Sequence, residues 1–166
     1  AGGLGVKMAR PETEVVVMVG DGSYLMMNSE IATSVAIGLK LTIVVLDNSG
    51  FGCINRLQQA TGGAPFNNLF ADTVHERLPA VDFAKHAESM GAAARHCESL
   101  ADFEAALKWA KTTDRTTVIS IVTDAFQWVP GDADWDVGVP EVSTRKEVRD
   151  ARAARQSSDR TACQIA

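Results

Sequence analysis

Two runs of apolar, β-branched residues flank one helical segment early in the chain, and this pattern constrains the fold most. The runs are residues 14–20 (EVVVMVG) and 41–46 (LTIVVL), and residues 23–38 between them have helical spacing. Such runs are typical of strands buried on both faces. Strand, helix and strand in this order predict a βαβ unit, with parallel strands joined by a right-handed crossover.

The rest of the chain continues the alternation. Residues 79–90 and 99–111 are predicted helices, the second with Ser99 as its N-cap, and residues 92–96 and 116–122 (TTVISIV) are predicted strands. Residues 49–70 are rich in Gly, Asn and Gln and are predicted to form a long loop with short helical pieces. This order predicts an α/β fold, a doubly wound, mostly parallel sheet flanked by helices.

Composition excludes several classes of protein. The chain has 166 residues, of which 46% are hydrophobic and 22% are charged, so we expect a folded core and little disorder. The net charge of −5 argues against nucleic acid as a partner. No uncharged apolar run is long enough to cross a membrane. The cysteines are odd in number and widely spaced, which favours a reducing, cytoplasmic compartment: Cys53, Cys97 and Cys163.

The two ends of the chain differ from the middle. Residues 144–160 carry six basic and three acidic side chains, which predict a solvated helix, with a partner-binding arm as the alternative. We therefore place one domain at residues 1–143 and a charged tail at 144–166. Because the chain starts at Ala1, without an initiator Met, we expect it to be N-terminally truncated.

Polar clusters follow both strands of the predicted βαβ unit: residues 20–23 (GDGS) and 47–50 (DNSG). Ligands of parallel sheets bind beyond the carboxyl ends of the strands. If the two strands are neighbours, Asp21 and Asn48 meet there and offer hard oxygen ligands suited to Mg²⁺. Gly22 and Ser23 add N–H groups at a helix N-terminus, which favours phosphate. Either cluster alone would be a simple turn, but the pair predicts a metal-bridged diphosphate site.

This arrangement resembles a known cofactor motif. Gly20-Asp21-Gly22, then a helix, a strand and Asp47-Asn48, is similar to the thiamine diphosphate motif of the pyruvate decarboxylase and acetohydroxyacid synthase superfamily. The resemblance implies thiamine diphosphate and Mg²⁺ as cofactors. The metal ligands that it implies are Asp21, the Asn48 side chain and the carbonyl of Gly50. The resemblance also implies that six residues face the cofactor: Gly20, Gly22, Ser23, Asn48, Phe51 and Gly52. One departure is Asp47, which stands where that family has the first Asn of a pair.

Three stretches narrow the resemblance to one branch: residues 20–30 (GDGSYLMMNSE), 47–55 (DNSGFGCIN) and 135–143 (WDVGVPEVS). They resemble the trihydroxycyclohexanedione hydrolases of myo-inositol breakdown. That branch implies hydrolysis of a carbon–carbon bond in a cyclic 1,2-dione, which yields 5-deoxyglucuronate. The alternatives are an acetohydroxyacid synthase-like carboligase acting on pyruvate and a non-catalytic diphosphate-binding module.

The resemblance also indicates what this chain lacks. In that superfamily the activating glutamate comes from another domain, usually of a neighbouring subunit, so we assign no catalytic residue here. We expect a homo-oligomer, dimer or tetramer, with N-terminal domains beyond this chain, and no turnover by the chain alone. The histidines His75, His86 and His96 have no metal-triad spacing, and we expect hydrogen-bonded or solvent-facing roles for them. Cys53, on the loop, is expected to pack or to line the substrate site.

Overall fold

The computed structural model describes residues 1–127 and 138–163, with side chains described as far as Gln156. Its strands are β1 (Val16–Gly20), β2 (Thr42–Asp47), β3 (Ala93–Cys97) and β4 (Thr117–Val122). They form one sheet in the order β1-β2-β4-β3, and every neighbouring pair is parallel. The prediction of an α/β fold with a parallel sheet flanked by helices is confirmed.

The helices alternate with the strands along the chain. Their bounds are α1 (Gly2–Ala9), α2 (Asp21–Met26), α3 (Glu30–Ala36), α4 (Gly52–Ala60), α5 (Phe83–Ser89), α6 (Leu100–Thr112) and α7 (Lys146–Cys163), with a 3-10 turn at Phe70–Asp72. The chain divides into two compact units, residues 1–51 with 75–125 and residues 52–74 with 126–166. The sheet lies in the first unit. The domain boundary after residue 143 stays a prediction.

Both faces of the central strands are buried. One face packs against α1, α2, α3 and α5, in a cluster that includes Leu4, Tyr24, Ile31, Phe83 and Val45. The other face packs Ile119 against Ala106 and Ala110 of α6. Among the described residues, none of the helices combines the length and hydropathy needed to cross a membrane.

The prediction that both faces of the first strand are buried is wrong, whereas it is confirmed for β2. Val17 and Val19 pack against the core, but Val16 and Met18 on the other face are 51% and 62% exposed. β1 is the edge strand, and it pairs only with β2 within the described residues. Its sequence resembles that of a central strand, but its position in the sheet leaves one face uncovered.

The predicted helix over residues 23–38 is two helices, and the first begins two residues early, at Asp21. The chain leaves helical geometry at Met27, with φ −151°. Next to it, the Asn28 side chain donates to the carbonyl of Leu25 at 3.5 Å. Asn and Ser side chains compete for backbone hydrogen bonds, which interrupts a helix at such positions.

Helix α1 was not predicted, because its three glycines lower helix propensity. A Cβ on Gly3 would lie 2.5 Å from Cγ2 of Val17, so the glycine lets α1 approach β1 closely. Leu4, on the same helix, is buried in the core. Here glycine indicates close packing rather than a loop.

The predicted helix in the charged tail is confirmed in α7, but one side of it is anchored rather than solvated. Within the second unit, Arg145 Nε donates to the carbonyl of Gly62 at 2.7 Å, and Val148 is buried. Gly62 has φ +83°, and a Cβ there would lie 2.5 Å from the carbonyl of Glu147. Arg152 donates to the carbonyl of Val139 at 2.8 Å. In the same unit, α4 is a longer helix than the predicted short helical pieces.

Candidate functional site

The carboxyl ends of β1 and β2 lie side by side. Gly20 at the end of β1 is in register with Leu46, so the residues after both strands meet at the same edge of the sheet. Asp21 is the first residue of α2, and Asp47 is the last residue of β2. The sequence predicted that Asp21 and Asn48 approach each other if these strands are neighbours, and the structure brings them together.

The Asp21 carboxylate is the centre of this cluster. Asp21 is 3% exposed. Its Oδ1 accepts the N–H of Asn48 at 3.3 Å, and its Oδ2 accepts the N–H of Gly50 at 2.7 Å. The loop after β2 therefore wraps around this carboxylate through its own backbone.

The surroundings of the Asp21 carboxyl disfavour its charged form. Burial raises the pKa of Asp21, and the nearby charge of Asp47 acts in the same direction. The hydrogen bonds from the N–H groups of Asn48 and Gly50 lower this pKa in part. A bound cation would favour the charged form of such a carboxyl, because it stabilises the negative charge that burial separates from water.

The side chain of Asn48 completes the cluster. One terminal atom of its amide lies 3.2 Å from Asp21 Oδ1 and 2.9 Å from the carbonyl oxygen of Gly50. With the nitrogen at this position, the amide donates to both oxygens. With the oxygen there, three oxygens face one another, and a cation between them would offset their repulsion. With that orientation the amide oxygen, Asp21 Oδ1 and the Gly50 carbonyl would be three oxygen donors of the kind that Mg²⁺ prefers.

The loop has an unusual backbone that only certain residues tolerate. Ser49 has φ +60°, and Gly50 has φ +147°. The second value lies in a region that is essentially restricted to glycine. Asp47 Oδ1 accepts the N–H of Ser49 at 3.0 Å. This contact is not among the predicted ones, although Asp two residues before Ser is a typical signal of a side-chain-stabilised turn.

The remaining predicted cofactor residues of the first unit lie at the start of α2 or contact it. A Cβ on Gly22 would lie 2.6 Å from Cε1 of Phe51, so the glycine makes room for that ring. Ser23 is exposed in the first turn, where backbone N–H groups have no acceptor within the helix. Gly20 is the N-cap of α2. Gly52 begins α4 in the second unit.

Other candidate residues have structural partners. Nδ1 of His86 lies 3.0 Å from the hydroxyl of Tyr24, and Nδ1 of His96 lies 3.0 Å from Oγ of Ser120. Cys53 is an exposed free thiol. Among the described residues, no three His, Cys, Asp or Glu side chains cluster as a metal site. A cation at the carboxyl edge would therefore need amide and carbonyl oxygens as well as Asp21.

Comparison with known proteins agrees with this geometry. The family described as thiamine pyrophosphate enzyme, C-terminal TPP binding domain, matches residues 1–121. Proteins named 3D-(3,5/4)-trihydroxycyclohexane-1,2-dione hydrolase are similar to this chain. The one from Shouchella clausii is 38% identical over 95% of this chain and 25% of its own length. The one from Listeria monocytogenes serotype 4b is 40% identical, again over 95% of this chain and 25% of its own length. The chain thus spans about a quarter of the length of these curated relatives.

A solved structure shares the fold. The thiamine diphosphate-dependent 4-hydroxybenzoylformate decarboxylase of Rhodococcus jostii RHA1 matches with a TM-score of 0.64 and 23% identity, over 74% of this chain and 22% of that one. The family match covers well over half of the residues, and it includes both β1 and β2 with the polar loops that follow them. The chain therefore belongs to the thiamine pyrophosphate enzymes and carries their C-terminal TPP-binding domain.

Proposed function

We propose that this chain holds the diphosphate of thiamine diphosphate through Mg²⁺, with Asp21, the Asn48 side chain and the Gly50 carbonyl as the metal ligands. The observation that carries the proposal is the convergence of these groups within 3.2 Å around a buried carboxylate. Mg²⁺ usually keeps several positions for water and for substrate phosphates. Three protein oxygens would therefore leave coordination positions for the diphosphate and for water.

The cofactor-facing residues are proposed to act through backbone groups and space. At the start of α2, Gly22 and Ser23 would offer N–H groups to the diphosphate, and Gly20, Phe51 and Gly52 are proposed to face the cofactor as well. α2 has six residues, so its dipole is small and direct N–H contacts matter more. A glycine at position 22 keeps this approach open, because any side chain there meets the Phe51 ring.

For the complete protein we propose hydrolysis of a carbon–carbon bond in trihydroxycyclohexane-1,2-dione, giving 5-deoxyglucuronate in myo-inositol catabolism. The names of relatives about 38% identical over nearly the whole chain support this substrate. Thiamine diphosphate, when bound, supplies the carbanion chemistry. The role of this chain's residues is to bind the metal and the diphosphate and to orient the cofactor.

The catalytic glutamate and the substrate contacts are proposed to come from other domains of a longer chain that assembles as a homo-oligomer. The length of the relatives, about four times that of this chain, supports such further domains. We also propose a cytoplasmic location, supported by free thiols at Cys53 and Cys97.

Calorimetric titration of the complete protein with thiamine diphosphate, with and without Mg²⁺, tests the cofactor proposal. We expect saturable, Mg²⁺-dependent binding and a loss of about 100-fold or more in Asp21→Ala, because loss of outer-shell partners alone costs about 10–100-fold. Asp114→Ala, which removes the same charge at an exposed position, is the control and should bind normally. Unchanged binding by Asp21→Ala would overturn the metal assignment.

A second assay tests the reaction. The complete protein is incubated with the cyclic dione or with pyruvate, and the products are identified by mass spectrometry. Ring opening to 5-deoxyglucuronate is expected. Condensation of pyruvate would instead indicate a carboligase, and cofactor binding without either reaction would indicate a binding module.

A further inference from the structure

Asp47 makes hydrogen bonds to two different parts of the first unit at the end of β2. Its main-chain oxygen accepts the N–H of Thr123 at 2.7 Å, just beyond β4. Its side-chain Oδ1 accepts the N–H of Ser49 at 3.0 Å. The residue after it, Asn48, is one of the proposed metal ligands. Asp47 is therefore fixed by the sheet on one side and holds the ligand loop on the other.

The loop needs such a support at Ser49. A non-glycine residue with positive φ is uncommon and costs free energy, so the surrounding structure must favour it. The bond from Ser49 N–H to Asp47 Oδ1 favours it directly, because it closes a turn across Asn48. Only beyond this turn does the Gly50 N–H reach Asp21 Oδ2, at 2.7 Å.

We propose that Asp47 is a positioning residue, whose side-chain oxygen holds residues 48–50 in the shape that presents Asn48 and Gly50 to the cation. The role belongs to the acceptor oxygen and not to the negative charge. This inference rests on the proposed Mg²⁺–diphosphate site.

Three substitutions of Asp47 separate the role of the acceptor oxygen from that of the charge. Asp47→Asn keeps a side-chain oxygen at the same place and removes the charge. Asp47→Ala removes both. Asp47→Ser has a shorter, weaker acceptor and should fall between the other two. If the charge matters, Asp47→Asn should behave like Asp47→Ala in both measurements. If the acceptor oxygen matters, Asp47→Asn should behave like the wild-type protein.

The first readout is amide hydrogen exchange in the complete, metal-free protein, and it does not depend on the cofactor. We expect exchange of the Ser49 and Gly50 amides to rise about tenfold in Asp47→Ala, the effect of one lost hydrogen bond, and to stay within about twofold in Asp47→Asn. Protected amides in Asp47→Ala would overturn the proposal. If Asp47→Ala does not fold, Asp47→Ser replaces it in the comparison, with a smaller rise expected in the exchange of both amides.

The second readout is calorimetric binding of thiamine diphosphate with Mg²⁺. We expect Asp47→Ala to bind about tenfold more weakly, with Asp47→Asn and the control Asp114→Ala close to wild type. Equal weakening in Asn and Ala would overturn the acceptor role, and so would wild-type affinity in Ala. Absence of binding by the wild-type protein would contradict the proposed function instead, while the exchange measurement would still decide whether Asp47 holds the loop.

Discussion

The backbone N–H of Gly50 donates to Asp21 Oδ2 at 2.7 Å, across 29 residues of sequence. This bond joins the loop after β2 to the first residue of α2. The shape of the candidate site is therefore built by backbone contacts to one carboxylate. We expect a metal and its ligand to bind to a largely preformed loop and to stabilise it.

Ligand stabilisation gives the first prediction. In the complete protein, Mg²⁺ and thiamine diphosphate together should raise the free energy of unfolding by about 2.7 kcal/mol when the ligand is at 100 times its Kd. Either component alone should do much less, because three protein oxygens leave half of the Mg²⁺ shell to other ligands. Denaturant unfolding with the cofactor, in Mg²⁺ or in EDTA, measures the difference. Equal stabilisation in EDTA would exclude a metal-dependent site.

The contact between Gly22 and Phe51 gives the second prediction. Gly22→Ala would place a Cβ 2.6 Å from the ring of Phe51, and we expect a cost of about 1–3 kcal/mol. In a Phe51→Ala background the same change should cost little, since the ring is gone. A double-mutant cycle from denaturant unfolding measures this coupling. If the effects of the two substitutions on the free energy of unfolding are additive, the Phe51 ring, which is 41% exposed, moves aside freely when a Cβ is added at position 22.

The third prediction concerns pH and Tyr24. Burial raises the pKa of the Tyr24 phenol to about 12 from about 10. The unfolded chain loses the phenol proton at a lower pH than the folded protein does. The contribution of the protonated phenol to the free energy of unfolding is therefore complete below pH 10 and is lost as the pH rises towards 12. Tyr24→Phe should remove this part of the alkaline loss and should cost about 1 kcal/mol at neutral pH, where the bond to His86 is lost.

Unfolding curves of both proteins at several pH values between neutral and strongly alkaline measure the difference. The signal is the change in the gap between wild type and Tyr24→Phe, because other groups titrate equally in both. A gap that stays constant with pH would show that the Tyr24 phenol is not shielded from water.

The fourth prediction concerns the anchoring of α7. Gly62→Ala should destabilise the second unit by about 2 kcal/mol or more, because it combines positive φ with a Cβ 2.5 Å from the Glu147 carbonyl. Gly38→Ala is a matched control: φ is +68°, but no atom lies within 4 Å of the added Cβ. Gly38→Ala should lower the free energy of unfolding only by the cost of the strained backbone. Hydrogen exchange within α7 and denaturant unfolding measure both, and equal effects would exclude the packing contact.

Local sequence predicts much of this fold, and the errors have physical causes. The run LTIVVL predicts a central strand, and β2 is one. The run EVVVMVG predicts the same for β1, but strand order, which depends on distant parts of the chain, leaves Met18 exposed. The glycines of α1 indicated no helix, because glycine lowers helix propensity. In the fold, Gly3 allows α1 to pack closely against Val17. Boundaries set by side chains, as at Asn28, were also missed.

The candidate site was more predictable than the fold around it. The proximity of Asp21 and Asn48 followed from two strand ends and one crossover, and it needed only that the strands be neighbours. The role of Asp47 did not follow. It depends on the positive φ of Ser49, a conformation that serine rarely adopts, although Asp two residues before it is a typical turn signal.

The bond between Thr123 and Asp47 has a consequence for how the chain folds. The Asp21 contacts close within residues 21–50, a short crossover that can form early. The Thr123 hydroxyl and N–H reach Asp47 across 76 residues, so this link forms only when β4 joins β2. During synthesis the carboxylate can therefore gather its loop long before the loop is tied to the last strand. The link between Asp47 and Thr123 is thus the longest-range contact of this loop, because it depends on the pairing of β2 with β4.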